Sequence, residues 1–151
     1  MLTNFENLNF QIVYAFRTKH QDGFFRVPGR AYAALSFRLC GTGRFVADGK
    51  TLTVRYGDLL YIPANTAYEV EYSGTEMIVV HLTDCNYPHV EVITPKSAAM
   101  LQTAFEELLC KWNERHSPHL AKSQIYALLD ILSTDRFFSF TGSRQDSCTQ
   151  H

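Results

Sequence analysis

Several things a catalytic or membrane protein would need are missing from this chain. Its six histidines, His20, His81, His89, His116, His119 and His151, contain no His-x-His pair. His116 and His119 straddle a helix start at Pro118 and read as two solvated side chains at a turn. The four cysteines, Cys40, Cys85, Cys110 and Cys148, lie far apart with no zinc-type spacing. They read as reduced, mostly buried thiols of a cytosolic protein. No Gly-x-Ser-x-Gly elbow positions a nucleophile, and no glycine-rich loop is long enough to cradle a phosphate. No apolar run approaches membrane-spanning length, and residues 1–6 have no basic region before an apolar core, so they do not read as a signal peptide. Neither charge sign is in excess: 14 Lys and Arg stand against 15 Asp and Glu. That balance gives no support for nucleic-acid binding by this segment. The expectation is a cytoplasmic protein without a membrane partner.

What is present is a globular composition. The 151 residues are 46% hydrophobic and 13% aromatic, enough for one domain with a core. Residues 1–93 read as β-rich. Strand-like runs span Phe10 to Phe16, Tyr32 to Leu39, Arg44 to Ala47, Thr51 to Arg55, Leu59 to Ile62, Tyr68 to Tyr72 and Met77 to Thr83. Turn signals separate them at Asp22-Gly23, Pro28-Gly29, Gly41-Thr42-Gly43, Asp48-Gly49, Gly57-Asp58 and Ser73-Gly74. Asp48-Gly49 suits a tight primed hairpin, and Gly41 to Gly43 reads as a hairpin corner. Short strands at this spacing suit an antiparallel barrel or sandwich.

The periodicity changes at Thr94-Pro95, which reads as an N-cap followed by a first helical residue. Leu101, Ala104, Phe105, Leu108, Leu109 and Trp112 then fall at helical spacing, with Glu106 and Glu107 opposite. Ser117-Pro118 restarts the pattern, and Ile125, Leu128, Leu129 and Leu132 continue it. Two amphipathic helices joined near Asn113 to His116 are expected. After Phe140 the chain loses periodicity, and residues 135–151 read as a tail or linker.

Strand alternation gives an estimate of what faces inward. If Tyr68 does, so do Val70 and Tyr72, which leaves Glu69 and Glu71 on a solvated outer face. Arg30, Tyr32, Ser36 and Arg38 share one parity with Ala34. The other face, Ala33, Leu35, Phe37 and Leu39, would pack between layers. A buried arginine without a partner is costly, so Arg30 and Arg38 either reach solvent at a rim or meet an anionic or hydroxyl-rich ligand. Met77, Val79 and His81 share a face. There His81 is either a satisfied core histidine or, with Tyr68 and Tyr72, part of a small-molecule pocket.

The segment from Gly57 to Tyr68 carries the most specific pattern. Gly57, Pro63, Asn65 and Tyr68 follow the spacing of the second cupin motif, with Asn65 at its second glycine and Tyr68 at its metal-binding histidine. Aligning Gly43 with the end of the first motif places Arg30, Tyr32 and Ser36 at the other ligand positions. Arg, Tyr, Ser and Tyr make a poor donor set for a divalent first-row metal, so no metal or other cofactor is expected. The text from Ala34 to Gly43, from Gly57 to Pro63 and from Val79 to Leu82 resembles the N-terminal domain of AraC-type transcriptional regulators, over residues from about 10 to 134.

That resemblance implies a mostly β fold, a cupin-like jelly-roll barrel followed by a C-terminal antiparallel two-helix segment. It implies an arm and first strand at 1–20, a ligand-binding barrel at 10–93, a dimerisation hairpin at 94–134, and a tail or severed linker at 135–151. The implied activity is sensing of a small polar metabolite such as a sugar, by a homodimer. DNA would be contacted only through a helix-turn-helix region absent from this chain. The expected ligand contacts are Arg30, Tyr32, Arg38, Tyr68, Tyr72 and His81, with Leu128 and Leu132 as an exposed dimer row. No catalytic residue is expected. The alternative is a stand-alone, metal-free cupin enzyme of the epimerase or isomerase type, with Tyr68 and His81 as acid and base.

Overall fold

Two long strands carry the architecture. In the computed structural model, which describes residues 8–135, β3 (Ala33–Ala47) and β6 (Tyr68–Thr83) pair antiparallel from Ala33↔Leu82 to Ala47↔Tyr68. On the far edge of β6 lie β1 (Gln11–Lys19), against residues 76–83, and β2 (Gly23–Val27), against residues 68–72. On the far edge of β3 lie β4 (Lys50–Arg55) at one end and β5 (Leu59–Ile62) at the other. Strand β7 (Glu91–Ile93) extends the sheet beyond β5. Each long strand therefore runs through both halves of a single folded sheet. The expected start of the arm (1–7) and nearly all of the expected tail (136–151) lie outside the described residues.

The sheet closes into a barrel because both long strands bend together. The β3–β6 register shifts between Arg38 and Cys40 and again between Cys40 and Thr42. Gly41 (φ +73°) and Gly74 (φ +59°) sit at this bend, and a Cβ on Gly41 would lie 2.2 Å from the Gly74 carbonyl oxygen. Only glycine combines the left-handed backbone with so close an approach. The Gly41-Thr42-Gly43 and Ser73-Gly74 signals, expected to end strands, are thus bends inside continuous ones. The local composition matches a turn, but the cross-strand glycine lets the ladder continue. Asp48-Gly49, by contrast, forms the expected hairpin, with φ +51° and +70° and Ala47 paired to Lys50. Strands β2 and β7 are additions to the sequence expectation.

Side chains partition into two cores. Ala33, Leu35, Phe37 and Leu39 point out of the barrel toward α1 (Ala98–Arg115) and α2 (Pro118–Asp135). There they meet Leu101, Phe105, Leu108, Ile125, Leu128 and Leu129, each at most 1% exposed. Each such residue contributes roughly 1.5–3 kcal/mol of burial. The second core fills part of the barrel interior with Phe45, Val54, Leu60, Val70, Tyr72, Met77 and Val79.

Three expectations need correction. Helix α1 is capped by Ser97, whose Oγ accepts from the Met100 N–H at 3.3 Å, not by Thr94. The Thr94 hydroxyl is engaged elsewhere, donating to Asp58 Oδ1 at 2.8 Å. Leu128 (0% exposed) and Leu132 (2%) are buried within the monomer and form no exposed dimer row, because the stripe they belong to packs on the chain's own sheet. The buried reading of the cysteines also fails in part: Cys85 and Cys110 are free, but Cys110 is exposed.

The bend generates a stability prediction. Gly41→Ala places a Cβ against backbone and forces a left-handed alanine, and should cost at least about 2 kcal/mol. Gly49→Ala has a similar φ but nothing within 4 Å of its Cβ, and should cost only about 1 kcal/mol. Urea unfolding of the two variants measures the difference, and equal losses would show that the crossing is not tight.

Candidate functional site

Inside the barrel lies a cavity of about 310 Å³. Its wall is built strand by strand from alternate residues. Strand β1 and the residue after it contribute Phe16, Thr18 and His20, while β3 contributes Ala34, Ser36 and Phe45. Leu60 and Ile62 come from β5, and Tyr68, Tyr72, Met77, Val79 and His81 from β6. Arg30 and Tyr32, in the loop before β3, complete it. Ser36 and Phe45 have opposite parity, as do Tyr72 and Met77. They share one cavity because the bend between them shifts the alternation.

Five of the six expected contact residues, Arg30, Tyr32, Tyr68, Tyr72 and His81, therefore converge on one space. Arg38 is not on the wall. Its guanidinium carbon lies 5.8 Å from the ring centroids of Phe45 and of Tyr72, both lining residues. His20 is a lining residue that the sequence reading missed. It stacks on Tyr72 with centroids 4.3 Å apart and planes 9° from parallel. Its signal was the alternate row Phe16, Thr18, His20 running past the end of β1. At the other side His81 packs 4.0 Å from the Tyr32 ring and meets the edge of Phe16 at 5.0 Å.

The site's electrostatics are those of one buried and one exposed cation. The two arginines take opposite answers to the question the sequence posed. Arg30 is exposed, with its guanidinium 5.8 Å from the Tyr32 centroid. Arg38 is 1% exposed, and its Nε, Nη1 and Nη2 have no hydrogen-bond partner among the described residues. Burial draws its pKa down to about 10, opposed by Tyr72, Asp58 and Tyr68, so it remains charged at neutral pH. The Asp58 carboxylate is engaged by Thr94 Oγ1 and by the Arg55 N–H at 3.0 Å.

Burial, then the Arg30 charge, lowers the His81 pKa to about 4. Burial, then Arg38 and Arg30, lowers that of His20. Burial pushes Tyr68 up and Tyr72 up to about 12, although both arginines oppose it. At neutral pH the wall thus presents neutral imidazoles and phenols, able to donate and accept, in a positive field. Among the described residues, no aspartate or glutamate lines it. The four positions aligned with cupin metal ligands hold Arg30, Tyr32, Ser36 and Tyr68. No three His, Cys, Asp or Glu among the described residues group to hold an ion.

No family model matches the chain, and no curated protein matches it. Among solved structures, it superposes on the AraC-like transcriptional activator CuxR with a TM-score of 0.59 at 8% identity. That superposition covers 87% of this chain and 54% of CuxR, so this chain spans about half the length of that protein. At such identity the likeness is one of fold. A Bacillus subtilis oxalate decarboxylase variant overlaps 44% of this chain and 19% of its own, at 20% identity and a TM-score of 0.36. Vicilin from Corylus avellana overlaps 53% and 25%, at 15% identity and a TM-score of 0.38. The fold is a mostly antiparallel, cupin-like β-barrel with two C-terminal helices. No helix among the described residues is long and apolar enough to cross a membrane.

The depressed His81 pKa predicts a pH dependence. The unfolded chain protonates this imidazole near its ordinary 6.5, the folded one near 4. Between those values the unfolded state binds more protons, so stability present above about pH 6.5 is lost as pH falls toward 4. His20 adds a contribution of the same sign. Calorimetric melting from pH 7.5 to 4.5 should show a falling midpoint, and His81→Gln should flatten part of that fall. A variant profile as steep as the parent's would assign the slope to other groups.

Proposed function

We propose that this chain is the effector-sensing and dimerisation domain of an AraC-type transcriptional regulator. The barrel binds a small polar metabolite, and the helical hairpin carries the contact between two copies. DNA contact falls to a helix-turn-helix region outside these residues, and the protein acts in the cytoplasm. The fold likeness to an AraC-like activator supports the family. The observation that carries the sensing role is the cavity itself, where five side chains selected from sequence meet among aromatic and aliphatic walls. Such convergence is what a small-molecule site requires.

The same elements give a guest a route to the hairpin. Strand β1 lines the cavity with Phe16 and Thr18, while Phe10, just before it, packs its ring 5.1 Å from Tyr126 of α2. The Tyr126 hydroxyl donates to the Leu8 carbonyl at 3.0 Å. The segment entering the barrel, the described part of the proposed arm, is thus fastened to α2. The enzyme alternative draws less support. Among the described residues no lining carboxylate is placed to orient His81, and its imidazole packs between rings.

Sizing across a concentration series should show a dimer, and a monomer at high concentration would remove the dimerisation claim. The outer side of α2 exposes Ser123, Ala127 and Thr134. Ala127→Arg should weaken self-association at least tenfold with little change in melting temperature. Leu128→Ala should instead cost about 2–5 kcal/mol of folding stability. Loss of self-association in neither variant would place the dimer contact elsewhere.

A further inference from the structure

The interior of this barrel carries an excess of positive charge: Asp58 acts on Arg38 from outside the cavity lining, and its carboxylate is shared with the Thr94 hydroxyl and the Arg55 N–H. Arg30 stands on its wall and Arg38 packs against two wall residues, yet among the described residues no carboxylate lines the space. Both guanidiniums act on the same wall groups, His20, Tyr68 and Tyr72. Arg38 has every side-chain nitrogen buried and without a hydrogen-bond partner among the described residues. A buried cation in that condition is a cost to the fold unless something else compensates it. A neutral guest would leave the cost in place. A guest with a negative charge would offset it.

Size and wall chemistry narrow the class. The cavity's 310 Å³ is room for about ten water-sized groups. Beside the polar groups, Phe16, Phe45, Leu60, Ile62 and Val79 supply apolar lining. A bare oxyanion would use the charge and waste that lining. An extended polyanion would not fit. The planar guanidinium of an arginine matches a carboxylate in fork geometry, and the phenols add donors beside it.

Building on the sensing role proposed above, we infer that the barrel's guest is a compact organic carboxylate of one ring or a short chain. Its charged head is held in the joint field of Arg30 and Arg38, and its apolar body lies on the Phe16–Phe45–Val79 wall. Arg38 supplies fixed charge from behind the rings, and Arg30 supplies the accessible guanidinium.

Thermal-shift and calorimetric titration of the 151-residue chain test this with matched probes: benzoate and hexanoate, their neutral amides, glucose, and inorganic phosphate. The acids should bind at least tenfold more tightly than the amides and weaken as salt rises. Arg30→Gln, at an exposed position, should reduce acid binding at least tenfold without changing the ligand-free melting temperature. Arg38→Met should reduce it as much while leaving that temperature unchanged or higher. Amides or glucose binding as tightly as the acids would overturn the charge assignment and leave the sensing role standing. Equal stabilisation by phosphate would overturn the organic class. A large fall in the ligand-free melting temperature of Arg38→Met would show that the fold needs the guanidinium, and would overturn its assignment to a guest. Stabilisation by no probe, neutral or charged, would overturn both this inference and the sensing role.

Discussion

The crossing of Gly41 over Gly74 is the constraint from which the rest of this structure follows. Two strands of 15 and 16 residues would make a flat, open ribbon if they stayed straight. The bend folds that ribbon on itself, so that β1, β5 and β7 lie on one half and β2 and β4 on the other. It also changes which residues point inward. Before it, even-numbered residues of β3 line the barrel and odd-numbered ones pack under the helices. After it, the odd-numbered Phe45 and Ala47 are inside. A strand of unbroken alternation would send half of these side chains to solvent. The cavity exists because the alternation is broken once in each long strand at the same level.

A second constraint acts against stability. Folding places the Arg38 guanidinium among aromatic rings, with Phe45 and Tyr72 each 5.8 Å away. Cation–π attraction offsets some of the desolvation, on the order of 1–2 kcal/mol per ring. It does not replace hydrogen bonds that water would provide to five N–H groups. Gly43 is part of the accommodation, since a Cβ there would stand 3.2 Å from both terminal nitrogens of Arg38 and 2.7 Å from the Phe45 ring. The neighbouring imidazoles respond in the expected sense, becoming harder to protonate. Burial is the larger cause for both, with Arg38 and Arg30 adding to it at His20 and Arg30 at His81.

Much of this was legible in the chain, and the divide between what was and was not is one of range. Asp48-Gly49 declared its hairpin because both residues of the turn are adjacent in sequence. The Leu101–Trp112 row declared its helix for the same reason. Gly41-Thr42-Gly43 carries equally good turn chemistry, yet it is a bend, because the deciding partner is 33 residues away at Gly74. Thr94 has the right chemistry for a cap but is taken by Asp58, from another part of the fold. Leu128 and Leu132 show the same limit: periodicity identifies an apolar stripe but not whether it faces its own sheet or a second copy. In the site, Tyr68 and Tyr72 on one segment and His81 on another were each placed inward by local alternation. His20 was missed because it stands just past its strand, where alternation ceases to be a guide although the backbone still follows it.

The arrangement of the two cores bears on how a guest could be read by the hairpin. Neighbouring residues of β3 face opposite ways: Ser36 is on the cavity wall, while the Phe37 ring stacks 5.3 Å from Phe105 of α1. A shift of β3 that accommodates a guest therefore also moves a surface to which α1 is packed. Strand β1 repeats the relation, with Phe16 on the wall and its neighbour Ala15 in the core shared with the helices. Adjacency alone does not make a switch. A guest biases the hairpin only to the extent that it binds two arrangements of these strands with different affinity. Arg38 is where such a difference can arise, since a buried guanidinium without hydrogen-bond partners among the described residues favours any state that brings an anion nearer to it. A stable barrel with a satisfied interior would have no comparable energy with which to report occupancy.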